Sequence, residues 1–252
     1  MRPAGYSSAM QTTQDSGNIA LFASLAADWW DSEGSSRLLH RINPARLGYI
    51  RNALIDHFGL NPRNRHALAG LRALDIGCGA GLVAEPLARM GARVDGLDAG
   101  EDLIAAAREH ATAQGLSIAY TAGDIVDFAA GNRGSYDFIT CLEVVEHVAD
   151  IKSFLSAISS LLKPGGLLIF STPNRTPISW AVLIAGAEKL TNLIPDGGHD
   201  WRKFLTPDEL TRDLAEAGLR VEQINGLNWS PTRGFHISDS LEITYIGTAV
   251  PA

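Results

Sequence analysis

Three glycines in five residues, Gly77, Gly79 and Gly81, follow directly on the apolar run Leu71-Arg-Ala-Leu-Asp-Ile76. A buried strand that breaks on glycines lets the backbone pass close to a ligand without Cβ clashes. Helical periodicity resumes at about 82–90, and a strand at 92–97 then delivers Asp98. Strand, glycine turn, helix, strand and acid make half of a nucleoside-binding α/β unit. The acid lies where a ribose diol donates two hydrogen bonds. The spacing is D-x-G-x-G-x-G from Asp75 to Gly81, and Leu82 stands where a dinucleotide fingerprint needs its third glycine. That departure speaks against a nicotinamide-dependent oxidoreductase.

Length and charge narrow the classes further. The 252 residues suit one large domain with appendages, and an apolar fraction of 46% supports a real core. The net charge is −7 with no Lys/Arg cluster, which argues against nucleic acid as a partner, since phosphates need a basic face. Cys78 and Cys141 are not in a metal-type pair and read as buried thiols of a reducing compartment. Residues 1–17 are polar, lack the apolar core of a secretory signal, and read as a disordered tail. No stretch reaches the roughly 18 apolar residues of a membrane span, so the chain reads as cytoplasmic.

Along the chain, residues 18–30 carry a helical stripe, and a second helix is expected from Pro44 to Phe58, with Pro44 in its first turn. Strands are expected at 71–76, 92–97, 117–121, 136–142, 166–171, 219–226 and 241–247. Helices are expected at 82–90, 101–114, 151–162 and 207–217. This alternation predicts an α/β, doubly wound, mostly parallel seven-stranded sheet with helices on both faces. Residues 18–252 form a single domain, with an N-terminal helical cap over 18–66. A helical insertion, 173–201, interrupts the alternation after the fifth strand, and a connection that long is usually functional.

The second chemical centre is Cys141-Leu-Glu-Val-Val-Glu-His147. The strand ending at Leu142 delivers Glu143, Glu146 and His147 to the carboxyl edge, where open α/β sheets bind ligands. Two carboxylates and an imidazole suit a divalent metal or a proton-transfer site, and His147 can also simply shape a pocket. Asp124, after the third strand, is either a helix N-cap or an acceptor for an adenine amino group.

The glycine loop with Asp98 resembles the S-adenosylmethionine (SAM) site of class I methyltransferases, whose fold is Rossmann-like. A narrower resemblance rests on Trp29-Trp-Asp31 with Gly34, Leu39-His-Arg-Ile-Asn-Pro-Ala-Arg46, Ser171-Thr-Pro-Asn-Arg175, Gly186-Ala-Glu188 and Gly198-His-Asp200. Over about 18–248 the chain is similar to the ubiquinone biosynthesis O-methyltransferases. That resemblance implies a donor site of Arg46, Gly77, Asp98 and Leu142, with Gly79 beside Gly77 in the loop. It implies a divalent ion such as Mg²⁺ on Glu143, Glu146 and His147. It also implies a polyprenyl catechol substrate, hence a peripheral place on the inner membrane, with other ubiquinone-biosynthesis proteins as partners. The apolar stretch 178–194 is the candidate membrane surface and lid. Rival readings are a methyltransferase with another small acceptor and a non-catalytic SAM-binding subunit that docks on membranes.

Overall fold

The computed structural model describes residues 13, 26–183 and 200–252. Strands β1 (Arg72–Ile76), β2 (Arg93–Asp98), β3 (Ala119–Ala122), β4 (Tyr136–Leu142) and β5 (Leu162–Pro173) pair in parallel. Strands β6 (Leu219–Ser230), β7 (Gly234–Ser238) and β8 (Thr244–Pro251) add an antiparallel wing. The sheet order is β3-β2-β1-β4-β5-β8-β6-β7. The order reverses between β1 and β4, and the carboxyl edge at such a reversal is where open α/β sheets bind ligands.

The pattern predicts seven strands, and the sheet has eight. β6 does not stop at Gly226 but runs on to Ser230. The chain turns back at Gly234, whose φ of 63° suits glycine, and β7 pairs along the extension. Lys163-Pro-Gly-Gly166 is absorbed into β5 as an irregularity: Tyr136 pairs with Leu162, and regular pairing resumes with Phe138 opposite Leu167.

Helices cover both faces because neighbouring strand residues point to opposite sides. On one side, Phe138, Leu167 and Ile169 pack with α1 (Arg37–Phe58), α2 (Ala84–Arg89) and α3 (Glu101–Ala113). On the other, Ile139, Leu168 and Phe170 pack with α4 (Ile125–Ala130), α5 (Ile151–Leu161) and α6 (Pro207–Glu216). Ile50 and Leu54, one turn apart on α1, are fully buried. Truncating either to Ala would cost about 2–5 kcal/mol and loosen the helix that carries Arg46.

Helix α1 begins at Arg37 rather than at Pro44, so Pro44 sits inside it. Tertiary contacts override the local preference. Ile42 and Asn43 are buried on that first part of the helix, and the Asn43 side-chain amide donates to the Leu82 carbonyl at 2.8 Å. Helix α4 is absent from the sequence pattern because six residues carry too little periodicity to register. Of the expected N-terminal helix over 18–30, residues 26–30 are described: Ala26–Asp28 form a single tight turn, and Trp29 and Trp30 are already outside any helix. The tail 1–17 and the helix at 18–25 otherwise lie outside the described residues, as do Gly186-Ala-Glu188 and Gly198-His199. Among the described residues no helix is long and apolar enough to cross a membrane.

Candidate active site

The glycine loop closes the end of β1. The Gly77 and Cys78 N–H groups both donate to the Leu97 carbonyl, at 2.8 and 3.2 Å. A Cβ on Gly77 would lie 2.3 Å from a Val144 methyl, and φ there is 66°. Glycine is thus required twice over, and the loops after β1 and β4 pack directly against each other. Cys78 and Cys141 are both buried free thiols. Burial pushes the Cys78 thiol up, which keeps it protonated and inert.

Asp98 ends β2 beside that loop. Its carboxylate accepts the Gly79 N–H on one oxygen and the Gly100 N–H on the other, each at 2.8 Å. Burial raises its pKa, and the backbone N–H bonds oppose the rise. Each oxygen keeps a further lone pair for a hydroxyl donor. Asp75, one strand inward, accepts the Thr140 hydroxyl at 2.6 Å. Its carboxyl is pushed up to about 7, mainly by burial, with Thr140 opposing and the Asp98 charge adding.

Asp124 caps α4 by accepting the Val126 N–H at 2.8 Å. Its other oxygen accepts the Thr13 N–H and hydroxyl, at 2.8 and 2.7 Å. Thr13 is buried, and its carbonyl accepts the Ala149 N–H at 2.8 Å. The cap is one of the two roles expected of Asp124, whereas the tether was outside what a motif could reveal, since Thr13 lies 111 positions from Asp124.

The end of β4 holds the second cluster. Leu142 is buried opposite Ser171 in register. Glu143 adopts φ 56°, the single positive φ at a non-glycine residue among those described. That backbone turn lets its N–H donate to the Ser171 carbonyl at 2.9 Å, while the Ser171 hydroxyl donates to its carboxylate at 2.8 Å. Arg46 reaches the same carboxylate oxygen from α1, at 3.2 Å. Arg46 is buried, and its Nε has no hydrogen-bond partner among the described residues.

Glu146 and His147 follow in a short tight helix, Val145–His147. Glu146 is buried and accepts the Thr172 hydroxyl at 2.9 Å. Burial, and then the Glu143 charge, push its carboxyl well above the usual range. His147 Nε2 lies 3.9 Å from the other Glu146 oxygen.

The expected metal set is brought together but not arranged for a metal. Among the described residues no three His, Cys, Asp or Glu side chains form a metal-holding group. Glu143 is engaged by Arg46 and Ser171, and Glu146 is buried with one oxygen taken by the Thr172 hydroxyl. The trio does not fit Mg²⁺ in this arrangement.

These features match known proteins. A methyltransferase-domain family model matches residues 36–224. The chain is 44% identical to the ubiquinone biosynthesis O-methyltransferase of Bradyrhizobium diazoefficiens, over 94% of each chain. It is 45% identical to that of Dinoroseobacter shibae, over 94% of this chain and 96% of the relative. The chain belongs to the ubiquinone biosynthesis O-methyltransferase family. Among solved structures, it resembles magnesium protoporphyrin IX methyltransferase of Synechocystis with bound SAH, at TM-score 0.58 and 23% identity over 82% of each chain. An S-adenosylmethionine-dependent methyltransferase of Clostridium acetobutylicum gives TM-score 0.60 at 14% identity, over 82% of this chain and 90% of that one. These two likenesses establish the class I methyltransferase fold.

Proposed function

We propose that this chain transfers the methyl group of SAM to catechol-type hydroxyls of polyprenylated rings, at an early and a late step of ubiquinone synthesis. The acceptors would be a 2-polyprenyl-6-hydroxyphenol and a 3-demethylubiquinol. The observation that carries this reading is the meeting of Arg46, Glu143, Glu146 and His147 beside the Gly77 loop, in a chain of this family. Donor and acceptor groups then share one crevice.

In this reading Gly77, Gly79, Asp98 and Leu142 line the donor site. Asp98 takes the ribose hydroxyls, and Arg46 takes the methionine carboxylate with the N–H bonds it has left unused. Asp124 stands at the adenine end. The sulfonium needs no activation, so the protein's work is positioning, water exclusion and proton removal. A phenol with pKa about 10 is a weak nucleophile near neutrality. Glu143 is engaged by Arg46 and Ser171 and Glu146 is buried on the Thr172 hydroxyl, so this reading gives the base role to His147. The acceptor O–H proton passes to His147, the oxygen attacks the methyl carbon, and the C–S bond breaks toward sulfur. The products are an aryl methyl ether, S-adenosylhomocysteine (SAH) and a protonated imidazole that returns its proton to water. Purified protein incubated with methyl-labelled SAM and a short-prenyl catechol should yield labelled ether. Labelling of an unprenylated catechol only, or of none, would redirect the acceptor or favour the non-catalytic docking role.

A second feature supports membrane access. Ile178, Trp180 and Val182 are 43%, 49% and 43% exposed, three large apolar side chains within five residues. They begin the stretch expected to dock on a bilayer, of which residues 184–194 lie outside the described residues. An interfacial segment wants this mix, with Trp at the headgroup level. Vesicles of anionic lipid should float the wild type, and a Trp180→Asp/Val182→Asp variant should stay below. A wild type that never floats ends the peripheral-membrane reading.

A further inference from the structure

Trp29 sits on the glycine loop with an unused donor. A Cβ on Gly79 would lie 2.7 Å from Trp29 Cζ2 and 3.2 Å from Cε2, the carbon bonded to Nε1. The six-membered ring of the indole, at its Cζ2 corner one bond from the carbon that bears Nε1, therefore packs on Gly79. The ring packs with Ala80, Leu82 and Leu103 and is 7% exposed. Gly79 donates its own N–H to Asp98, and a Cβ on Gly100 would meet both Leu103 at 3.2 Å and an Asp98 oxygen at 3.4 Å. Trp29 and Asp98 thus both adjoin Gly79.

Trp29 Nε1 is buried and has no hydrogen-bond partner among the described residues. Its neighbour is the contrast. Trp30 Nε1 donates to the Ala80 carbonyl at 3.0 Å, and the Trp30 ring stacks on His110 with centroids 3.6 Å apart. The Trp29 carbonyl is engaged by His40 Nε2 at 2.9 Å, so the backbone is pinned and the indole cannot easily turn away. Buried donors without acceptors are rare in native proteins, and one held against the glycine loop of the proposed donor site points to an acceptor on the ligand.

We propose that Trp29 Nε1–H is a donor-site residue that hydrogen-bonds a ribose hydroxyl oxygen of bound SAM, on the diol that Asp98 holds. The inference rests on the donor-site reading above. The two bonds are complementary: Asp98 accepts the hydroxyl hydrogens, and the oxygens then need a donor, which a carboxylate cannot supply. The indole also roofs the loop, so the cap closes over the nucleoside through Trp29.

Calorimetry on the full chain tests this with SAH and with 5′-methylthioadenosine, which keeps the ribose and lacks the amino-acid end. Trp29→Phe retains most of the ring and removes the N–H. It should weaken both ligands about 3- to 10-fold, the range of one neutral hydrogen bond. Asp98→Ala serves as comparator and should weaken both as well. Equal affinity of wild type and Trp29→Phe for both ligands would overturn the proposal. A loss confined to SAH would overturn the ribose assignment, because it places the N–H at the amino-acid end. A wild type that binds neither ligand would instead overturn the donor site itself. Should Trp29→Phe fold poorly, the wild type supplies a second measurement. The Trp29 indole resonance, identified by single Phe substitutions of the other four tryptophans, should shift on adding 5′-methylthioadenosine. A resonance that stays in place would overturn the inference.

Discussion

Arg46 Nη2 lies 3.2 Å from Glu143 Oε1, and the two side chains are only 6% and 18% exposed. One ion pair therefore joins the residue proposed for the methionine carboxylate to the cluster proposed for the acceptor. When SAM binds, its carboxylate becomes a second anion for the same guanidinium.

The pair makes a separable prediction. Arg46→Ala leaves the Glu143 charge uncompensated near buried Glu146, and should cost about 3 kcal/mol of unfolding free energy. Adding Glu143→Gln removes that charge and should recover much of the stability. It should not recover SAH affinity, because the guanidinium is still missing. Urea unfolding and calorimetry read the two effects independently. A double variant as unstable as Arg46→Ala would show that packing, not charge, holds Arg46 in place.

Glu143 also carries backbone strain, since φ 56° is unfavourable for a residue with a Cβ. Glu143→Ala and Glu143→Gly both delete the carboxylate, so their difference isolates the backbone. Glycine should be the more stable of the two by about 1 kcal/mol, reversing its usual penalty. Equal urea midpoints would mean that the bonds to Ser171 do not hold the turn.

The sequence made the parallel half of the sheet readable because glycines, apolar runs and acids punctuate it at regular intervals. Asp75, Gly77, Asp98 and Glu143 all stand at the carboxyl edge that this alternation implies. The start of α1 was hidden because Pro44 mimics a helix start, whereas burial of Ile42 and Asn43 decides it. Thr13 on Asp124 and Trp29 on Gly79 were hidden for a different reason. Contacts across 111 and 50 positions follow from how the cap folds over the sheet, and no local pattern encodes them. The raised pKa of Glu146 was equally invisible, since spacing places a carboxylate but its shift comes from burial and the Glu143 charge.

Asp75 should make the ligand-free protein less stable as pH rises. Its native carboxyl takes up a proton at about 7, against about 4 in an unfolded chain. The stabilising proton is fully present in both states below about pH 4 and is lost from the native state through pH 7. Across that window stability should fall by about 1.4 kcal/mol per pH unit from this group, flattening above it. Asp75→Asn mimics the protonated acid and its carbonyl can still accept from Thr140. It should flatten the curve, so its advantage over wild type should grow from pH 4.5 to 7.5. Parallel urea-stability profiles for the two proteins would reject a buried, titrating Asp75.

His147 and Glu146 should divide cleanly between turnover and packing. If Glu146 is held protonated, Glu146→Gln preserves its shape and its bond from the Thr172 hydroxyl, so fold and SAH affinity should stay near wild type. Its kcat should fall by no more than a few-fold. His147→Ala removes the proposed base and should lower kcat by about 10²–10⁴, with SAH affinity nearly unchanged. The pH profile separates a base from a wall of the pocket. A base must be neutral to act, so the wild-type rate should climb with pH as the imidazole loses its proton and then level off. His147→Ala should lose that inflection and depend on hydroxide or on ionisation of the acceptor itself. If the variant is slow yet keeps the wild-type inflection, His147 shapes the pocket and the proton leaves by another route. If Glu146→Gln is as slow as His147→Ala, then the Glu146 carboxyl must ionise during turnover, and the proton leaves through the pair rather than through the imidazole alone.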